Sequence, residues 1–128
     1  MTIWSPTQKI GVSHLFGIPG DLVINLFLKF GRCKGLNIIT FSHGPGIGFA
    51  GDGYARNTGK IGHGMHDVRR GRSQHGKPVA GSFSERVPIL VISGGPGEQE
   101  RQLGVLIHYQ AKEIELQFRI FREPMLAL

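Results

Sequence analysis

Two turns in this sequence carry side chains that could transfer a proton or contact a cofactor. Asp21 follows the turn Pro19–Gly20, and His43 follows a short apolar run. Carboxylates and imidazoles are common general acids and bases. Each residue also has a structural interpretation, because Asp21 could cap a helix and His43 could satisfy backbone groups. Both interpretations are equally open for His108, which lies near a later apolar run.

A glycine pattern next to His43 suggests a different chemistry. Gly46, Gly48 and Gly51 match the Gly-x-Gly-x-x-Gly fingerprint of dinucleotide-binding domains, between a predicted strand and a predicted helix. The match is partial, because the loop 42–45 is longer than a fingerprint turn and the acidic partner, Asp67, comes early. A small dinucleotide-binding domain is therefore kept as an alternative.

Strands that alternate with helices must position these residues. Apolar runs predict strands at 13–18, 36–41 and 87–93, and helices are predicted at 22–30, 46–56, 78–85, 98–102 and 111–118. This alternation predicts an α/β fold, a parallel sheet with helices on both faces. Residues 60–77 have almost no apolar periodicity, so we expect one strand to be disrupted there.

The composition fits one globular domain of 128 residues. No apolar run approaches the roughly 20 residues that span a bilayer, so we expect no membrane contact. The single Cys33 fits a reducing cytoplasm. Much of the net charge of +6 lies in 60–77, which has no aromatic side chains to stack on bases, so we expect no nucleic-acid partner. Three histidines in that segment have no diagnostic metal-ligand spacing, and we predict no metal site.

Four ordered segments resemble the N-terminal pyrimidine-binding domain of thiamine-diphosphate-dependent 2-oxo acid decarboxylases, in particular the pyruvate, indolepyruvate and phenylpyruvate decarboxylases. The resemblance covers about 11–123. The segments are Phe-Gly-Ile-Pro-Gly-Asp at 16–21, Ser-His-Gly-Pro-Gly-Ile-Gly-Phe-Ala-Gly-Asp-Gly-Tyr-Ala-Arg at 42–56, Ala-Gly-Ser-Phe-Ser-Glu-Arg-Val-Pro-Ile at 80–89, running on into the strand to 92, and Leu-Ile-His-Tyr at 106–109.

The resemblance implies a role for each turn. Asp21 matches the catalytic aspartate, and Gly20, His43 and Pro45 match positions around the cofactor. In the family, a glutamate hydrogen-bonds the aminopyrimidine ring and favours the imino tautomer that deprotonates the thiazolium carbon. Gly44 stands at that position. Glycine has no carboxylate, so this means of activating the cofactor is lost.

The family's pair of histidines is also incomplete. His108 matches the first histidine, and Tyr109 stands in place of the second. A phenol, with a pKa of about 10, cannot replace an imidazole as a proton shuttle at neutral pH.

The resemblance also implies what surrounds such a domain. We expect 1–128 to be a single N-terminal domain, with 60–77 atypical and the central and diphosphate-binding domains absent. The full-length family uses thiamine diphosphate with magnesium, and we expect binding by this chain alone to be weak and decarboxylation absent. Expected partners are a homo-oligomer or full-length decarboxylase subunits, so a non-catalytic interaction module is a further alternative.

Residues 64–78 fit the family better in another reading frame. With permitted synonymous codons, a reading one base later gives Ala-Cys-Met-Thr-Tyr-Gly-Ala-Gly-Gly-Leu-Asn-Met-Val-Asn-Pro. A reading of 2–8 one base earlier can give Asp-Tyr-Leu-Val-Ala-His-Ser, a plausible first helix. We therefore hypothesise compensating frameshifts, with another before 124–128. The nucleotide sequence read in all frames tests this hypothesis.

Overall fold

A computed structural model describes residues 11–67, 76–95, 97–102 and 116–122. These residues contain four strands and five helices, which alternate except at the end, where two helices follow the last strand. The strands are β1 (His14–Gly17), β2 (Asn37–Thr40), β3 (Gly62–Asp67) and β4 (Ile89–Gly94), and the helices are α1 (Ile24–Gly31), α2 (Gly44–Thr58), α3 (Gly76–Ser84), α4 (Glu98–Gln102) and α5 (Leu116–Arg122).

The four strands form one parallel sheet in the order β2-β1-β3-β4. Helix α1 covers one face, which we call the α1 face, and α2 covers the other, which we call the α2 face. The predicted α/β fold with helices on both faces is confirmed. Within the described residues, no helix is both long enough and apolar enough to cross a membrane.

The expected disruption of a strand is wrong for Gly62–Asp67. These six residues form β3, which pairs with β4 along its whole length and with β1 at two positions. Their sequence, Gly-His-Gly-Met-His-Asp, has low strand propensity, but the neighbouring strands and helices override it. In the same atypical segment, 76 and 77 belong to α3, and 68–75 lie outside the described residues.

The α1 face is packed by large apolar side chains. Leu15 and Met65 are fully buried there beneath Val23, Phe27 and Phe30, which come from α1 and the residue before it. Burying apolar side chains of this size contributes roughly 1.5–3 kcal/mol each. This cluster is the main core of the described domain.

On the α2 face, the backbones of β3 and α2 lie in close contact. A Cβ on Gly62 would collide with the backbone of Gly51 on α2, and a Cβ on Gly64 would lie 3.0 Å from Ile47. A glycine pair therefore lets α2 lie directly on β3. Only a side chain of one hydrogen atom fits at Gly62.

Element boundaries differ from the predictions by at most two residues, with one larger difference in the last helix. Asp21 is not the N-cap of α1, because the helix begins at Ile24 and Val23 occupies the cap position. The last predicted helix, 111–118, overlaps α5 only at its end, and 103–115 lie outside the described residues. The helix predicted at 98–102 matches α4.

Candidate functional site

Asp21, a candidate for proton transfer, and His43, a candidate for cofactor contact, lie at the same edge of the sheet. Asp21 is in the loop after β1, and His43 is in the turn between β2 and α2. Strands β1 and β2 are parallel neighbours, paired from His14–Asn37 to Gly17–Thr40. Their carboxyl ends therefore meet at one edge, which we call the carboxyl edge, the usual position for ligands in open α/β sheets.

The loop after β1 is fixed at both ends by backbone hydrogen bonds. Ile18 N–H donates to the Met65 carbonyl at 3.2 Å, which ties the loop to β3. Val23 N–H donates to the Gly20 carbonyl at 3.0 Å and closes a turn around Asp21. Asp21 is exposed at this turn, beyond the end of β1.

The turn after β2 leads directly into α2. Phe41 N–H donates to the Gly17 carbonyl at 2.9 Å and extends the pairing of β2 with β1. His43 has extended backbone angles and is the N-cap of α2, with no hydrogen bond from its side chain to the helix. Pro45 lies in the first turn, where its missing N–H costs no helix hydrogen bond.

An aromatic contact sets how closely α2 approaches β2. A Cβ on Gly46 would lie 3.1 Å from the ring of Phe41, and that ring packs edge-on against Phe16 with centroids 6.1 Å apart. Glycine at 46 thus lets the first helical turn rest against the aromatic pair. This contact positions Gly44 at the carboxyl edge.

The start of α2 carries no carboxylate. Gly44 is half-buried at the first helical position, and the first turn contains no acidic residue. The residues present can therefore line a ligand at this edge, but they offer no side-chain acceptor from position 44. His108 and Tyr109 lie outside the described residues. Among the residues that the structure describes, no three His, Cys, Asp or Glu side chains are grouped to hold a metal ion.

Sequence reasoning did not find a polar cluster at the opposite edge of the sheet. Ser13 Oγ lies 2.9 Å from the Tyr54 hydroxyl and 3.1 Å from His14 Nδ1, and that nitrogen lies 3.2 Å from the same hydroxyl. The rings of His14 and Tyr54 are 5.0 Å apart. No local spacing reveals this cluster, because Tyr54 is 40 residues from His14 and only the packing of α2 on β1 joins them.

A second missed group ties α2 to α3. Arg56 Nε donates to Asp52 Oδ2 at 2.6 Å, and Ser82 Oγ donates to Asp52 Oδ1 at 2.7 Å. The hydrogen bond from Arg56 lowers the pKa of the Asp52 carboxyl below its usual value, burial opposes this, and the bond from Ser82 adds to it. Arg56 also pairs with Glu85 beyond the end of α3. The spacing of Asp52 and Arg56, four residues apart on a helix, is a signal that could have found part of this group.

The glycines of the dinucleotide alternative lie inside α2, not in a turn before it. Gly46 rests on Phe41, Gly48 on Pro78 of α3, and Gly51 against β3. In a dinucleotide fingerprint, the first glycines form the tight turn that precedes the helix. Helix packing accounts for all three glycines, so this alternative loses its structural basis.

The chain matches a family model described as the N-terminal TPP binding domain of thiamine pyrophosphate enzymes, over residues 7–118. It is 36% identical over 117 residues to indole-3-pyruvate decarboxylase from Azospirillum brasilense, covering 91% of this chain and 22% of that protein. It is 30% identical over 101 residues to pyruvate decarboxylase 2 from Oryza sativa subsp. japonica, covering 79% of this chain and 16% of the relative. It is 32% identical over 84 residues to the acetolactate synthase large subunit of Buchnera aphidicola, covering 66% of this chain and 15% of the relative. The chain thus spans about a fifth or less of the length of these relatives.

Proposed function

We propose that this chain, which belongs to the thiamine pyrophosphate enzymes through their N-terminal cofactor-binding domain, supplies the pyrimidine side of a cofactor site for 2-oxo acid decarboxylation and is inactive by itself. The observation that supports the proposal most is the meeting of the Asp21 loop and the His43 turn at the carboxyl edge. Two of the four segments that carry the family resemblance thus meet at the same edge of the sheet.

The described residues fit part of what the cofactor requires. Gly20, His43 and Pro45 bound the space at the carboxyl edge, and Asp21 is exposed there to hold or move a proton near a bound substrate. Gly44 does not fit, because it lies where the aminopyrimidine ring would need a carboxylate. Position 44 therefore offers no group that could activate the cofactor.

The remaining parts of the site would come from other domains and subunits. We assign the magnesium-held diphosphate to a separate domain, and pairing of this domain across a homo-oligomer or with full-length decarboxylase subunits stays a proposal. A cytoplasmic location and a 2-oxo acid substrate are proposed on the same family basis. Proton handling by His108, with Tyr109 in place of a second histidine, is also proposed.

A titration with thiamine diphosphate and Mg²⁺, followed by amide NMR, tests the assignment of the pyrimidine side. We expect weak binding, with shifts in Gly20, Asp21 and His43, and tighter binding by Gly44→Glu because a carboxylate is restored beside the aminopyrimidine. Gly53→Glu is the matched control, because it adds the same charge to an exposed position of the same helix. Equal affinities for all three proteins, or shifts centred on Ser13 and His14 at the opposite edge, would contradict the assignment.

A further inference from the structure

A histidine is fully buried in the middle of the sheet. His63 lies on β3, has no solvent exposure, and neither ring nitrogen has a hydrogen-bond partner among the described residues. Buried polar groups are nearly always hydrogen-bonded, so this arrangement is unusual. No role in the cofactor site accounts for it, because His63 lies near the start of β3, away from the carboxyl edge.

The side chain of His63 lies on the α1 face. Gly62 and Gly64 contact α2, so the alternation of the strand directs His63 and Met65 to the opposite face. Met65 packs in the apolar cluster beneath α1. The ring of His63 is therefore held among the side chains of the main core.

Among the described residues, no charged group lies where it could compensate a proton on this ring. The sheet register places Leu90 of β4 beside His63 and, one residue before the Phe16–Gly64 pair, Leu15 of β1. From the α1 element, the buried residues are Phe27 and Phe30, and its cation, Lys29, is exposed. On β3 itself the nearest acidic position is Asp67, four residues or about 13 Å farther along the strand.

We propose that His63 is an acid-sensitive switch in this fold, and that proton uptake there unfolds the domain cooperatively in mildly acidic solution. Strand β3 pairs with β1 on one side and β4 on the other, so its loss removes the link between the two halves of the sheet. The carboxyl edge, which β1 and β3 help to form, is lost in the same step.

The direction of the effect follows from the two protonation states. Burial lowers the pKa of His63 from 6.5 to about 4. Above pH 6.5 the ring is neutral in both folded and unfolded chains, so protonation of His63 does not lower the free energy of unfolding. Between pH 6.5 and about 4 only the unfolded chain takes up the proton, so stability falls as the pH falls. The unfolding constant rises tenfold per pH unit in this window, about 300-fold in total.

Urea unfolding of the 128-residue chain at pH 7, 6, 5 and 4 tests the switch. We expect the extra acid sensitivity of the wild-type protein to disappear in His63→Leu, which puts an apolar side chain of similar size in place of the imidazole. His43→Gln is the matched control, because it removes an exposed histidine and should keep the wild-type acid sensitivity. If His63→Leu loses stability between pH 7 and pH 4 as steeply as the wild-type protein, the proposal is wrong.

A second measurement does not depend on the variant folding. NMR of the imidazole protons in the wild-type protein should show His63 neutral down to about pH 4, while the protein is folded. A His63 ring that titrates near 6.5 in the folded protein would also overturn the proposal.

Discussion

The two faces of the sheet are packed by opposite means. On the α1 face, Leu15, Met65 and Phe27 fill the space with side-chain volume. On the α2 face, Gly62 and Gly51 bring the backbones of strand and helix into direct contact, and Ile47 packs beside them on Gly64. The first face is therefore sensitive to lost volume or added charge, and the second is sensitive to a single added methyl group.

This difference relates packing to function. The α2 face fixes the helix whose first residues form the turn at the carboxyl edge, so close backbone contact sets the position of Gly44. The α1 face contains the main cluster of buried apolar side chains, and it contains His63, whose ring has no hydrogen-bond partner among the described residues. The α2 face thus determines where Gly44 lies, and the α1 face contributes most to the stability of the domain.

Removing volume from the α1 face should have the largest effect. Met65→Ala is expected to lower the free energy of unfolding by about 3 kcal/mol, because Met65 is fully buried and its loss leaves a cavity. Urea unfolding measures the change. Met65→Leu is the control and should cost less than about 1.5 kcal/mol. Equal losses for the two variants would show that volume does not determine the stability of this face.

Adding one methyl group to the α2 face should have the next largest effect. Gly62→Ala is expected to cost about 2 kcal/mol, because the new Cβ collides with the backbone of Gly51, which cannot rotate away. The same urea experiment measures it. A loss below about 0.5 kcal/mol would mean that α2 does not lie directly on β3.

The polar cluster below α2 should contribute less. Tyr54→Phe keeps the ring contacts with His14 and Phe16 but removes the hydroxyl shared with Ser13. We expect a loss of about 1 kcal/mol, the usual net value of one such hydrogen bond. Thermal unfolding checks this, and an unchanged midpoint would show that the cluster is only incidental to the packing of α2.

The smallest expected effect is a gain in stability. Gly53 is exposed on α2, and a Cβ there would meet no other atom of the described residues within 4 Å. Gly53→Ala should therefore stabilise the domain by about 0.7 kcal/mol, since alanine favours the helix. It is also the matched control for Gly62→Ala. A loss of stability would indicate that another part of the chain packs against this side of α2.

Three of the four strands could be predicted because their apolar residues are local signals. β3 could not, because Gly62 and Gly64 are selected by contact with a helix that lies elsewhere in the sequence. The burial of His63 and Met65 identifies β3 as a core strand, but that burial becomes known only from the packing of the neighbouring elements. The hypothesis of a frameshift in 64–78 stays a prediction, since β3 covers only the start of that segment.

The carboxyl edge could be predicted in part. The resemblance placed Asp21 and Gly44 in one site, and the parallel pairing of β1 and β2 brings their loops to one edge. The functional roles of Asp21, His43 and His108 remain proposals. The contacts of Tyr54 with His14 and of Ser82 with Asp52 could not be predicted, because each joins residues 30 or more positions apart.

Exchange of the thiazolium C2 proton of thiamine diphosphate for deuterium tests the central claim most directly. Proton NMR in deuterated buffer with Mg²⁺ would give the exchange rate at increasing concentrations of the 128-residue chain. Because Gly44 provides no carboxylate to the aminopyrimidine, the rate should equal that of the free cofactor at every protein concentration. An exchange rate that rises in proportion to the concentration of the wild-type chain would contradict the account.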